Sequence, residues 1–289
     1  MPTSLPWIFV CPASRGIGHA LTRRLLLTTT LPVLATTRLA DTGVTKASIL
    51  DDLEASRADN SEDSHLSRRL HVVRCHVTDE SSIRQAAGAA AELFPPKTHH
   101  LHLACAIPGV LHPEKSPAQV EPASALESFQ VNALGPLLLA KHFCDFLPRR
   151  ATSVPGWQEQ QEQQDGAAAL LGGLPRHATW LSMAARVGST TDNRSGGWYS
   201  YRASKAAVIS LTRSLDLYFQ ARCGGKALAM AYHPGTVKTE FSREFWGNVP
   251  EGKLFSPEFA AEKMVDVIRG LKPEQRGKCW DWKGDEVPP

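Results

Sequence analysis

Short apolar runs alternate along this chain with longer segments whose apolar residues recur at helical spacing. Trp7–Val10 is a compact β-rich run. After Arg15-Gly16-Ile17-Gly18 comes the stretch His19–Leu27, and apolar residues at positions 17, 20, 21, 25 and 26 form one helical face. Pro32–Thr36, Leu70–Cys75, Leu101–Ala106, Ala178–Met183 and Ala227–Tyr232 predict further strands. Between them, Glu80–Leu93, Ala123–Leu147 and Ser200–Phe219 predict helices, stopped in turn by Pro95-Pro96, Pro148 and Gly224-Gly225. Pro257–Leu271 predicts a last helix, with proline early in its first turn, and Cys279–Gly284 predicts a last strand and turn.

Repeated strand–helix alternation implies right-handed βαβ units. The expected fold is therefore α/β: a single Rossmann-type, doubly wound parallel sheet of about seven strands with helices on both faces. Such a sheet binds ligands beyond the carboxyl ends of its strands, so functional residues are expected just after each strand. The 289 residues suit one dinucleotide-binding domain over 1–289. Polar stretches at 51–67 and 152–175 lack the apolar content to join a core and predict surface insertions.

Composition narrows the function classes. The net charge of +3 is too small to argue for a nucleic-acid partner. The strongest apolar stretch, Ala133–Ala140, is far too short to span a bilayer, and Met1–Val10 has no basic region of a signal peptide. The six scattered cysteines form no C-x-x-C pair and predict reduced, mostly buried thiols; together these features predict a cytoplasmic protein. His99-His100-Leu101-His102 has no placed carboxylate or thiol to complete a metal set, so it predicts surface or strand-edge histidines and no metal.

Three constellations carry chemistry. Cys11-Pro12-Ala13-Ser14-Arg15-Gly16-Ile17-Gly18 follows the first strand and opens the first helix. There, glycines allow close approach and free helix N–H groups suit a pyrophosphate; a plain tight turn is the other reading. Arg38 lies twenty residues beyond Gly18 at the end of the second strand. A carboxylate there would hold the ribose 2′-hydroxyl of NAD, whereas arginine accommodates the 2′-phosphate of NADP, with Arg15 as a second cation; two solvated surface arginines are the alternative. Tyr201-Arg-Ala-Ser-Lys205 places a phenol and an amine on one helical face, where the ammonium would favour the phenolate.

With these in order, the chain resembles the short-chain dehydrogenase/reductase family over about residues 5–285, most like the carbonyl-reductase-like, C-factor-type branch of bacteria and fungi. Further pieces are Phe129-Gln-Val-Asn132-Ala-Leu-Gly135-Pro136, Arg186-Val-Gly188-Ser189, Asp192–Tyr201 and His233-Pro234-Gly235-Thr236-Val237-Lys238-Thr239. The resemblance implies an NADPH-dependent oxidoreductase that reduces an aldehyde or ketone. Tyr201 would give the proton, Lys205 would hold the nicotinamide ribose and lower the phenol's pKa, and Asn132 would place a water that links Lys205 to solvent. Ser14, Arg15, Gly16, Ile17, Gly18, Arg38, Val77, Ala106, Tyr201, Lys205, Gly235, Val237 and Thr239 would form the NADP site. It also implies a small-molecule carbonyl substrate and a homodimer or homotetramer.

Four positions depart from the family pattern. Cys11-Pro12 replaces the usual Thr-Gly of the turn, and His76 stands where an adenine-contacting Asp is usual. Ala104-Cys105-Ala106-Ile107 aligns with Asn-Asn-Ala-Gly, which would lose a glycine beside the cofactor. Ala184 and Ala185 occupy the places of the active-site Ser, so Ser182, Ser189 or neither fills that role. Trp246, in the stretch that covers the substrate in this family, is either a pocket wall or part of a surface helix. The alternative function is a weakened or inactive NADP-binding scaffold or sensor. An isomerase or dehydratase on the same fold is a third reading.

Overall fold

The computed structural model describes residues 3–53, 65–154 and 170–289. Its main sheet contains β1 (Leu5–Cys11), β2 (Val33–Thr37), β3 (Leu70–Arg74), β4 (His99–Ala106), β5 (Ala178–Met183), β6 (Ala227–His233), β9 (Cys279–Asp281) and β10 (Glu286–Val287). The order across the sheet is β10-β9-β6-β5-β4-β1-β2-β3. Every pairing is parallel except β9–β10, which is an antiparallel hairpin. That hairpin takes the sheet from about seven expected strands to eight. β7 (Thr236–Val237) and β8 (Leu254–Phe255) form a separate two-stranded pair above the sheet's carboxyl end.

The strands read as continuous apolar runs because both faces are covered. On one face Ile8, Val10, Val33 and Leu181 pack against Leu21 and Leu25 of α1 (Gly16–Thr28), and against Met264 and Ile268 of the helix Pro257–Gly270. On the other face Trp7, Phe9, Ala104 and Trp180 meet α4 (Glu80–Leu93), the helix Gly135–Phe143 and the helix Tyr199–Cys223. Chain order reverses between β1 and β4, which opens the crevice where a doubly wound sheet takes its ligand.

Several expectations are refined. The helix expected over Ala123–Leu147 is broken into α5 (Pro122–Phe129), a π turn at Gln130–Leu134 and α6 (Gly135–Phe143). A helix that was not expected, α2 (Thr42–Leu50), buries only Thr45 and Ile49, one turn apart, too weak a stripe to register as a period. Asp41 starts it by accepting the Gly43 N–H. Most of the 51–67 and 152–175 stretches lies outside the described residues. His65–Arg69 forms α3; the long helix Tyr199–Cys223 is α7 and Pro257–Gly270 is α8.

His100 and His102 of β4 are not at the surface. β4 is a central strand between β1 and β5, so alternation places His100 and His102 in the interior, each 1% exposed. The cysteines are free thiols, and all except half-buried Cys144 are buried.

Candidate active site

The turn after β1 tolerates Pro12 because its left-handed residue comes later, at Gly16 (φ +56°). Pro12 instead presents its carbonyl to the first turn of α1. A Cβ on Gly18 would lie 1.9 Å from that oxygen, so only glycine fits. Arg15 occupies the N-cap of α1 and no side chain caps the helix, which leaves its first N–H groups facing the crevice. Arg15 and Arg38 are both exposed at the carboxyl ends of β1 and β2, and neither forms an ion pair with a described residue. Ser14 and Ile17, half-buried, complete the turn.

Two of the other positions expected to hold a nucleotide lie against this turn. A Cβ on Gly16 would meet Thr239 Cγ2 at 3.2 Å, so segments far apart in sequence touch here. The Ile107 N–H donates to the Cys11 carbonyl at 2.7 Å, which ties the end of β4, with buried Ala106, to the turn. Val77, past β3, packs on Gly135. His76 is held within its own loop: its Nδ1 pairs with Thr78 Oγ1 at 2.9 Å and its N–H donates to Ser82 Oγ. Gly235 (φ +75°) lies under Phe255 and Trp282, where a Cβ would approach within 2.7 Å of the Phe255 ring. Val237, in the β7–β8 pair, is buried.

Tyr201 and Lys205 face the crevice from the first turns of α7, and both are buried. The Lys205 ammonium donates to the Met183 carbonyl at the end of β5 (2.7 Å) and lies 5.9 Å from the Tyr201 ring centroid. Burial lowers its pKa to about 7. Burial also raises the pKa of the Tyr201 phenol. Burial therefore works against the phenolate that the Tyr-Lys spacing suggested. A protonated phenol is the state a proton donor requires.

Asn132 is fully buried in the π turn, a distortion that recurs at functional sites. Its Oδ1 accepts the Val110 N–H at 2.8 Å, and its Nδ2 donates to the Val110 carbonyl and to Ser204 Oγ. Ser204 Oγ donates to the Tyr201 carbonyl at 2.8 Å. Asn132 thus fastens the loop after β4 to the helix that carries Tyr201. In the same loop lies Gly109, whose Cβ would sit 3.7 Å from Asn132 Oδ1 and 3.9 Å from Lys205 Nζ. A glycine does stand beside the site, two residues beyond Ile107.

The hydroxyl candidates separate. Ser189 is committed elsewhere: its Oγ accepts the Asp192 N–H at 3.0 Å and donates to the Pro289 carbonyl. Ser182 is buried within β5, paired across to Ala106 and Ala231, one pleat deeper than Ala184. No hydrogen bond joins it to Tyr201 among the described residues.

Aromatic rings line the opening. Trp198 and Phe241 each place a ring 6.0 Å from that of Tyr201, and Phe245 packs on Trp198 at 4.9 Å. Trp246, half-buried, donates from Nε1 to Ser242 Oγ and has Lys238 over its ring. Trp198 was missed in sequence as a wall because its role depends on a left-handed backbone (φ +52°) at the N-cap of α7.

No family model matches the chain. The C-signal protein of Myxococcus xanthus is 32% identical over 171 residues, which cover 58% of this chain and 81% of that protein. A 1-hydroxy-2-glutathionyl-2-methyl-3-butene dehydrogenase of Rhodococcus sp. is 41% identical over 95 residues, covering 32% and 38%. Among solved structures, NADPH-bound carbonyl reductase from chicken fatty liver superposes with a TM-score of 0.74 at 24% identity, covering 99% of both chains. The glycine turn, the Tyr-Lys pair on α7 and these likenesses place the chain in the short-chain dehydrogenase/reductase family.

Proposed function

We propose that this oxidoreductase is an NADPH-dependent carbonyl reductase with Tyr201 as the proton donor. The observation that carries the reading is the burial of Tyr201 and Lys205 together on one face of α7, beside Gly109 and beneath the rings of Trp198 and Phe241. The uncapped N-terminus of α1 and the cations Arg15 and Arg38 fit a dinucleotide that carries a 2′-phosphate. Ser14, Gly16, Ile17 and Gly18 would hold its pyrophosphate, with Val77 and Ala106 along the adenosine side. Gly235, Val237 and Thr239 would hold its nicotinamide end. When bound, NADPH supplies the hydride that a carbonyl carbon accepts.

The chain's own residues do the rest. Tyr201 keeps a proton at Oη and delivers it to the substrate oxygen. Lys205, anchored to the end of β5, would bind the nicotinamide ribose and bias the phenol toward giving up its proton. Asn132 holds the loop that closes the site from above. The aromatic rim excludes water and favours a carbonyl with an apolar body. With alanines at 184 and 185, Ser182 is the remaining hydroxyl on that strand face, and oxyanion support is weaker than the family norm. Exposed Leu126, Phe129, Leu134, Leu137, Leu217 and Tyr218 on α5–α7 support assembly into a dimer or tetramer through those helices. No described helix is long and apolar enough to cross a membrane.

The test is NADPH titration by fluorescence, followed by NADPH oxidation against a panel of aldehydes and ketones. Tyr201→Phe should keep NADPH affinity within about twofold and lose about 10²-fold or more in turnover. Binding without turnover, unchanged by Tyr201→Phe, would instead favour a non-catalytic scaffold, the reading that the alanines at 184 and 185 suggest.

A further inference from the structure

α7 begins without a cap of its own. Its N-cap residue is Trp198, whose indole cannot accept a hydrogen bond and whose backbone is left-handed (φ +52°, ψ +47°). A helix that starts so leaves its first N–H groups in need of outside acceptors. Glu114, from the loop after β4, supplies them. Its main-chain carbonyl accepts the Trp198 N–H at 2.7 Å. Its carboxylate accepts the Ser200 N–H at 3.0 Å through Oε2 and the Ser200 hydroxyl at 2.5 Å through Oε1. Ser200 Oγ in turn lies 3.5 Å from Ser128 Oγ of α5.

Glu114 is 3% exposed and forms no ion pair with a described residue. A buried carboxylate of this kind is retained only where hydrogen bonds and a helix N-terminus satisfy it. It belongs to the loop that Asn132 grips at Val110 and that His112 ties to Glu127 at 2.9 Å. The loop is therefore fixed at Val110 and at His112, just before Glu114. The rest of α7 is anchored independently. Lys205 binds the end of β5, the buried Asp216 accepts the Ala229 N–H at 3.0 Å and pairs with Arg276, and Phe219 lies in the core. Removing the Glu114 contacts would thus loosen the first turn without unfolding the helix.

That first turn contains Tyr201, adjacent to Ser200, and the Trp198 ring that stands beside it. We infer that Glu114 is a positioning residue: it caps α7 in trans and so holds the Tyr201 hydroxyl and the Trp198 wall in register with the crevice. The inference rests on the reading of Tyr201 as proton donor. A displacement of about 1 Å at a reacting group is enough to cost 10²-fold in rate.

The experiment compares the full chain with Glu114→Ala, Glu114→Gln and Ser200→Ala, and uses exposed Lys115→Ala as the control. Three quantities are read: backbone hydrogen exchange, NADPH affinity, and kcat with KM on an aldehyde or ketone that the unmodified chain reduces. In Glu114→Ala, exchange in the segment 198–201 should rise tenfold or more while the segment 208–219 keeps its protection. The kcat should fall tenfold or more with NADPH affinity within twofold. Glu114→Gln keeps an oxygen for the Ser200 N–H and should recover most of the loss; Lys115→Ala should match the unmodified chain. Unchanged exchange at 198–201 in Glu114→Ala overturns the clamp. Raised exchange with unchanged kcat, or a loss of kcat matched by an equal loss of NADPH affinity, overturns the positioning role. A chain that binds NADPH but reduces no carbonyl overturns the reductase reading and the positioning role with it, and the exchange data then separate that failure from failure of the clamp. Should Glu114→Ala not fold, Ser200→Ala removes the Oε1 partner alone, and the same outcomes decide.

Discussion

Acid should destabilise this fold through two adjacent histidines in the centre of its sheet. His100 and His102 share one face of β4 and form a relay of neutral rings. Ser4 Oγ pairs with His100 Nδ1 at 3.1 Å, His100 Nε2 with His102 Nδ1 at 3.4 Å, and His102 Nε2 with the Pro175 carbonyl at 2.9 Å. Each ring then donates once and accepts once, so an added proton would fall on a nitrogen that already accepts a hydrogen bond. Burial lowers His100 to about 3 and His102 to about 4, and each repels the charge of a neighbouring histidine. Because the folded pKa values lie below the unfolded value of about 6.5, the unfolded chain binds more protons between them. Stability from the pair is therefore complete above about pH 6.5 and is lost as pH falls below it. At pH 5 the unfolded rings are protonated and the folded ones are not. The cost is 1.5 pH intervals of about 1.4 kcal/mol for each ring, or about 4 kcal/mol for the two. Buried His177 and His233, each lowered to about 4 by burial, add to the total, so the diagnostic quantity is a difference. Urea unfolding at about pH 7.5 and pH 5 should show a loss about 2 kcal/mol smaller in His102→Gln than in the unmodified chain. Equal losses in the two proteins would refute the claim that these rings are held neutral by burial.

Three further outcomes follow from the crevice. Gly18→Ala puts a Cβ 1.9 Å from the Pro12 carbonyl; it should cost about 1–3 kcal/mol of stability by thermal unfolding and weaken NADPH at least tenfold by fluorescence titration. Arg38→Ala removes the charged partner proposed for the 2′-phosphate and should weaken NADPH about 10- to 100-fold while leaving NADH unchanged, which a paired titration reads directly. Ala184→Ser restores a hydroxyl near the family's position and should raise kcat about tenfold or more on the best carbonyl substrate; an unchanged kcat would show that a second donor is not what limits the reaction.

Local spacing carried the sequence-level reading a long way. The alternation of apolar runs with helical-period segments dictated a parallel, doubly wound sheet, because strands buried on both faces read as unbroken apolar runs. Tyr201 and Lys205 share a face of α7 by helical period alone, and the glycines after β1 announced a helix start that only small residues permit. What folding decided are relations between distant segments. Whether His100 and His102 are surface or core depends on β4 lying between β1 and β5, which no local pattern encodes. The glycine beside Lys205 is Gly109 because the loop after β4 is gripped by Asn132, and that grip needs a π turn in a helix that reads as regular in sequence. Ser189 is drawn off to Pro289, and the cap of α7 comes from Glu114, 86 positions away. Hydrogen bonds and burial depend on what the folded chain brings within about 3 Å, whereas periodicity reports only which way a residue points along its own element.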